Sequence, residues 1–146
     1  MAHARTQIRA AVVAELASTT YPVVPGRVYP DGGPLPALSV YTDTEATEPD
    51  GDDVMGNNAQ VRRLVLTVEG RDKDVIGIDD ALDAICLEVE RALGADQTLG
   101  GLAQWVEIRG TQYERTDSQE QPLGVATMAY EIEYRVDRVD PEIIVP

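Results

Sequence analysis

The sequence predicts an α+β fold, a four-stranded antiparallel or mixed sheet with two helices packed on one of its faces, in the order α-β-β-α-β-β. Three observations carry this. Apolar residues recur at helical intervals in two stretches, strict two-residue alternation marks the strands, and proline-rich, acidic or polar segments separate them. Helices that each precede a pair of strands in this order are most economically placed together on one face. At 146 residues with 43% apolar content, the chain is a single domain able to bury a core.

The first helix is read between Thr6 and Ser18, where Ile8, Val12, Val13 and Leu16 share a stripe and "STTYP" ends it. "YPVVPGRVYPDGGPLPALSVYT" is punctuated by prolines until a short strand emerges near Ala37, with Leu38, Val40 and Thr42 alternating. "DTEATEPDGDDVMGNN" follows as a long acidic loop over residues 43–59. In "QVRRLVLTVEGR", Leu64, Leu66 and Val68 fall on one face and Arg63, Val65, Thr67 and Glu69 on the other. The second helix has Ile78, Leu82, Ile85, Cys86, Val89 and Leu93 on one stripe, Asp79 and Asp80 at its positive end, and Gly94 as its stop. Two strands, "AQWVEIRGTQYERT" and "GVATMAYEIEYRVD", are joined as a hairpin through "DSQEQPLG". Met128, Tyr130, Ile132, Tyr134 and Val136 alternate there with Thr127, Glu131, Glu133 and Arg135. A tail over residues 138–146 is expected to fray or to reach a neighbour with Ile143, Ile144 and Val145.

Charge and composition exclude several classes. With 26 acids against 12 bases, the net charge of −14 repels phosphate backbones and anionic membrane surfaces. No apolar run approaches the roughly 18 residues that span a bilayer, and the N-terminus lacks the apolar stretch of a signal peptide, so the chain is expected to stay in the cytoplasm. One cysteine allows no internal disulfide.

No catalytic constellation is present. His3 is the sole imidazole and lies at the chain end, leaving no basis for a triad. Cys86 sits on the apolar stripe, where a small buried hydrophobe is expected and not a thiolate. The acids around "DGDD" offer oxygen ligands to a cation, but the calcium-loop pattern counted from Asp50 fails at Val54, Met55 and Val61. "TLGGLA" has neither the spacing nor the lysine of a phosphate loop. Glu131 and Glu133 face outward and stay solvated, which does not suit acid–base work. Neither a cofactor nor a catalytic residue is expected.

The order of these segments resembles the tail terminator, or tail completion, proteins of long-tailed bacteriophages, a family of small α/β proteins that includes minor tail and neck components. The resemblance covers nearly the whole chain. It rests on "ARTQIRAAVVAELA", "RVYPDGGPLPALSVYT", "RRLVLTVEGR", "IDDALDAICLEVERAL" with "TLGGLA" after it, and "GVATMAYEIEYRV". It implies a non-enzymatic virion protein, assembled in the host cytoplasm and placed at the head-proximal end of the tail. There a homo-hexameric ring would cap the tail tube, halt its polymerisation and dock the head connector, with DNA passing through the lumen unbound. A head-to-tail connector, neck or other minor tail role is the alternative within the virion. A small cytoplasmic metal- or ligand-binding domain using the acidic cluster is the alternative from another class.

The open sheet face gives the ring reading its own footing. It is expected to mix Val65, Ala129, Trp105 and Tyr113 with charges, a blend typical of interfaces. The predicted subunit or tube interface is Trp105, Glu107, Arg109, Tyr113, Glu131, Glu133 and Arg135, with Trp105 and Tyr113 as anchors. The predicted docking loop carries Glu45, Glu48, Asp50, Asp52, Asp53, Asn57 and Asn58.

Overall fold

The computed structural model describes residues 2–26, 35–49, 59–73, 76–116 and 123–145. The elements are α1 (Ala4–Leu16), β1 (Val23–Pro25), β2 (Ala37–Pro49), β3 (Ala59–Lys73), α2 (Ile78–Ala95), β4 (Trp105–Thr116) and β5 (Leu123–Asp137). The strands form one mixed sheet ordered β1-β2-β3-β5-β4, in which β1 runs parallel to β2 and the other neighbours are antiparallel. The fold is therefore α+β with two helices, but the sheet has five strands where the sequence predicts four. The additional strand is the three-residue β1, preceded by Pro22 and ending in Pro25. Prolines are tolerated at sheet edges, where half of the backbone groups need no partner.

Both helices cover the same face. Ala4, Ile8, Val12 and Leu16 of α1 are fully buried at four-residue spacing, whereas Val13, predicted on the stripe, is 36% exposed. In α2, Leu82, Ile85, Cys86, Val89, Ala92 and Leu93 are buried. They meet one row set of the sheet: Leu38 and Val40, then Leu64, Leu66 and Val68, then Met128 through Val136 at every second residue. Two glycines let α2 come close. A Cβ on Gly70 would sit 2.5 Å from Ile85 Cγ2, and one on Gly124 would sit 2.5 Å from Ile78 Cγ1.

Gly94 does not stop α2, which runs through Ala95 and ends where Asp96 turns extended. The Asp96 carboxylate then organises the following turn, accepting hydrogen bonds from the Thr98 amide, the Thr98 hydroxyl and the Gly100 amide. Leu99, at φ 52°, is held left-handed so that its side chain enters the core, and Gly100 and Gly101 follow with positive φ. "TLGGLA" is thus a packing turn.

Two expectations about loops are corrected. The acidic loop predicted over 43–59 is shorter, because residues 43–49 continue β2 and Ala59 opens β3; residues 50–58 lie outside the described residues. The strand was hidden because a bulge between Thr42 and Thr44 breaks the alternation and both faces beyond it are polar. The C-terminal tail, expected to fray or to reach a neighbour, folds back on its own chain. Asp137 donates its amide hydrogen bond to Ile143, Val145 to Arg135, and Ala4 to Pro141, while Ile144 packs against the core.

Candidate subunit interface on the open sheet face

The face away from the helices is organised by two bulges. Thr42, Leu66, Tyr130 and Ile108 form one row across β2, β3, β5 and β4, and Asp43 and Arg109 are the residues inserted directly after it in their strands. Because β2 and β4 run in opposite directions, the two insertions fall on opposite sides of that row. Bulges bend a sheet and sharpen its twist. The result is a shallow groove on the open face, floored by the small side chains of Thr67, Thr127 and Ala129 and walled by Asp43 and Arg109.

Beside the groove runs a charge network spanning four strands. Arg63 on β3 reaches Glu48 on β2 with Nη1 at 2.7 Å and Glu133 on β5 with Nε at 3.1 Å. Its Nε also lies 4.0 Å from Glu131. Arg109 on β4 donates from Nε to Glu131 at 2.6 Å, approaches Glu107 at 3.5 Å, and stacks over the Trp105 ring at 5.5 Å. Two guanidiniums thus serve four carboxylates. Exposed pairs of this kind contribute little to folding, so their main consequence is a negative surface with a fixed charge pattern.

Trp105, Glu107, Arg109, Glu131 and Glu133 are therefore brought together as the sequence reading expects, and Arg135 lies on the same face opposite Val61. Tyr113 is not with them. Counting by twos from Trp105 puts it on the open face, but the bulge between Ile108 and Gly110 adds a residue and reverses the parity. Tyr113 pairs with buried Ala126, turns toward α2 and donates from its hydroxyl to Asp83 at 3.1 Å. Burial and the Asp83 carboxylate push its pKa up to about 12.

Of the predicted docking-loop residues, Glu48 is at the open-face network, and Asp50, Asp52, Asp53, Asn57 and Asn58 lie outside the described residues. Glu45 is overturned as a loop residue. It pairs with Leu64 in the ladder, so its side chain points to the helix side, where its carboxylate is 7% exposed. There it meets Arg62 at 3.3 Å and Arg5 at 3.4 Å and accepts the Tyr134 hydroxyl. Burial first, and the carboxylate second, raise the Tyr134 pKa. Sequence reasoning missed this cluster because the same bulge that hid the strand also set which way Glu45 faces.

Other candidates are structural. His3 caps α1, its Nδ1 accepting the Arg5 amide at 3.1 Å, and Cys86 is buried with its thiol pKa pushed up by desolvation. Among the described residues no group of three or more His, Cys, Asp or Glu is arranged to hold a metal, and no helix is long and apolar enough to cross a membrane.

A search of curated proteins found no match. The phage minor tail protein U family, by contrast, matches residues 3–134, from the cap of α1 to the buried Tyr134 of β5, so the chain belongs to that family and is a structural component of a phage tail, carried in the virion in contact with other tail components.

Proposed function

We propose that this minor tail protein is a tail terminator: a homo-hexameric ring at the head-proximal end that caps the tail tube, stops its polymerisation and docks the head connector. The observation that carries the reading is the four-strand network on the open face, where two arginines serve four glutamates beside Trp105. Two-sided docking needs a surface that is patterned, partly apolar and not already covered, and no described element covers this face. Trp105 is its aromatic anchor, Glu107, Arg109, Glu131, Glu133 and Arg135 give it register, and residues 50–58 reach the tube. The net charge of −14 keeps passing DNA from adhering. The protein works by binding and does no bond-making chemistry.

The test is deletion of the gene from the particle, followed by electron microscopy of the tails. A terminator leaves overlong or headless tails. Tails of normal length on empty or leaking heads would sink this reading and assign the protein to the neck.

A further inference from the structure

The sheet ends in two different edges, and their chemistry differs. Along β4, none of the described elements pairs with Trp105–Thr116 on the side away from β5. On the other side, β1 covers only Leu38–Val40, and none of the described elements pairs with residues 42–49 of β2 on the side away from β3. Such edges hold rows of backbone donors and acceptors that template pairing with another chain. Among the features that blunt such edges, β4 has no proline or lysine and β2 reaches a proline only at Pro49; each strand has one bulge, which leaves Gly110–Thr116 and Thr44–Pro49 in regular register beyond it.

Charge decides which edges match. The open-face network terminates at the β2 edge in Glu48, whose side chain is 51% exposed. At the β4 edge it terminates in Arg109, 46% exposed, with Glu107 beside it. Residues 42–49 contain Asp43, Glu45 and Glu48 and no base, so joining two β2 edges sets acid against acid. Joining β4 to β2 brings a guanidinium to that edge.

We infer that the β4 edge of one copy adds to residues 42–49 of β2 in the next copy, so that sheet and charge network continue from subunit to subunit. The contact is head-to-tail, because the two edges are unlike, and head-to-tail contacts close into rings when the rotation permits. Main-chain pairing supplies the binding, and Arg109 against Glu48 supplies the direction. The inference rests on the proposed ring and names the surface that builds it.

Cross-linking in the full chain tests it. Ala46 and Gln112 are exposed, pair with open-face residues of β3 and β5, and lie one on each edge. The A46C and Q112C variants are mixed, assembled alone and on purified tail tubes, and treated with a short bismaleimide; buried Cys86 makes the unmodified chain the blank. The expected product is the mixed A46C–Q112C adduct, in excess over either self-adduct. The A46C/Q112C double variant should give a ladder of multimers. Dominant Q112C self-adducts would overturn the inference in favour of a two-fold β4 contact. Multimers seen by light scattering without any adduct would overturn it while leaving the ring intact. A chain that stays monomeric even on tubes would end both.

Discussion

The Tyr134 hydroxyl donates to the Glu45 carboxylate, tying the last core strand to the strand that leads into the acidic segment. Arg62 joins the same carboxylate at 3.3 Å with its side chain only 15% exposed, and its Nε has no partner of its own. Removing Glu45 would strand that guanidinium in a poorly hydrated place. Glu45→Ala should therefore destabilise by about 3 kcal/mol in urea unfolding, the order found when one member of a buried pair is deleted. Glu45→Gln, which still accepts from Tyr134 and Arg62, should cost clearly less. Equal and negligible losses would mean that the cluster is open to water.

Three glycines give a paired test of how α2 seats on the sheet. Gly124→Ala and Gly70→Ala force a Cβ to 2.5 Å from Ile78 and Ile85 respectively, so each should destabilise by about 1–3 kcal/mol. Gly94, inside α2 with nothing within 4 Å of its added Cβ, should behave oppositely. Gly94→Ala should stabilise by up to about 1 kcal/mol through helix propensity alone. Denaturant midpoints that fail to split in sign would show that the helix does not sit as described.

Leu82 is fully buried between α2 and the sheet, near Gly124. Leu82→Ala should cost about 2–5 kcal/mol, depending on how far the cavity collapses. A change lost in the error of the melt would mean that the stripe faces elsewhere.

How much of this was legible beforehand follows from what each residue reports. The α2 stripe and the Met128-to-Val136 alternation were readable because burial on one face imposes a strict period, and both are found buried where expected save for Ile78, which is only partly buried. β1 was not readable, since a three-residue strand that follows one proline and ends in another carries no period. A bulge misplaces both Tyr113 and Glu45, in different ways: the insertion in β4 reverses the face on which Tyr113 falls, whereas the one in β2 breaks the alternation, so that the strand carrying Glu45 reads as loop. Gly110, directly after the inserted Arg109, was the available hint, because glycine inside a strand often marks such a site. The open-face network was half legible. Trp105, Glu107, Arg109, Glu131 and Glu133 are legible as one face, but Arg63 is not among the predicted interface residues and Glu48 reads as a loop residue, because that Arg63 binds Glu48 and Glu133 together depends on strand order, which a sequence does not print.

The cap on α1 should make stability depend on pH in a defined window. Burial, then Arg5 and Arg62, lower the His3 pKa from 6.5, and its Nδ1 accepts the Arg5 amide, which a protonated ring cannot do. The unfolded chain therefore binds this proton more readily. The contribution is complete above about pH 6.5 and is lost as pH falls through the lower folded value. Glu88 and Asp96 are held below 4.5 and 3.8 by hydrogen bonds from Thr20 and Thr98, so their losses come further down in acid. His3→Asn, which keeps a capping oxygen without titrating, should flatten the upper part of the stability–pH curve and leave the acid limb unchanged. A slope that survives the substitution would assign that window to another group.

Glu133→Lys addresses the proposed docking face. Glu133 lies on the open side of β5, opposite Trp105, and its carboxylate is held at 3.1 Å by Arg63. Lysine there sets two cations side by side and removes one of four carboxylates, while the buried rows beneath are untouched. The expected outcome is an unchanged circular dichroism spectrum and a cooperative melt, together with impaired ring assembly on purified tubes. Long-range charge complementarity acts on the encounter, so the defect should deepen at low ionic strength, where screening is weakest. Normal rings and normal tail lengths from the variant would remove this face from the interface, and the charge network would then be a solvated surface with no partner.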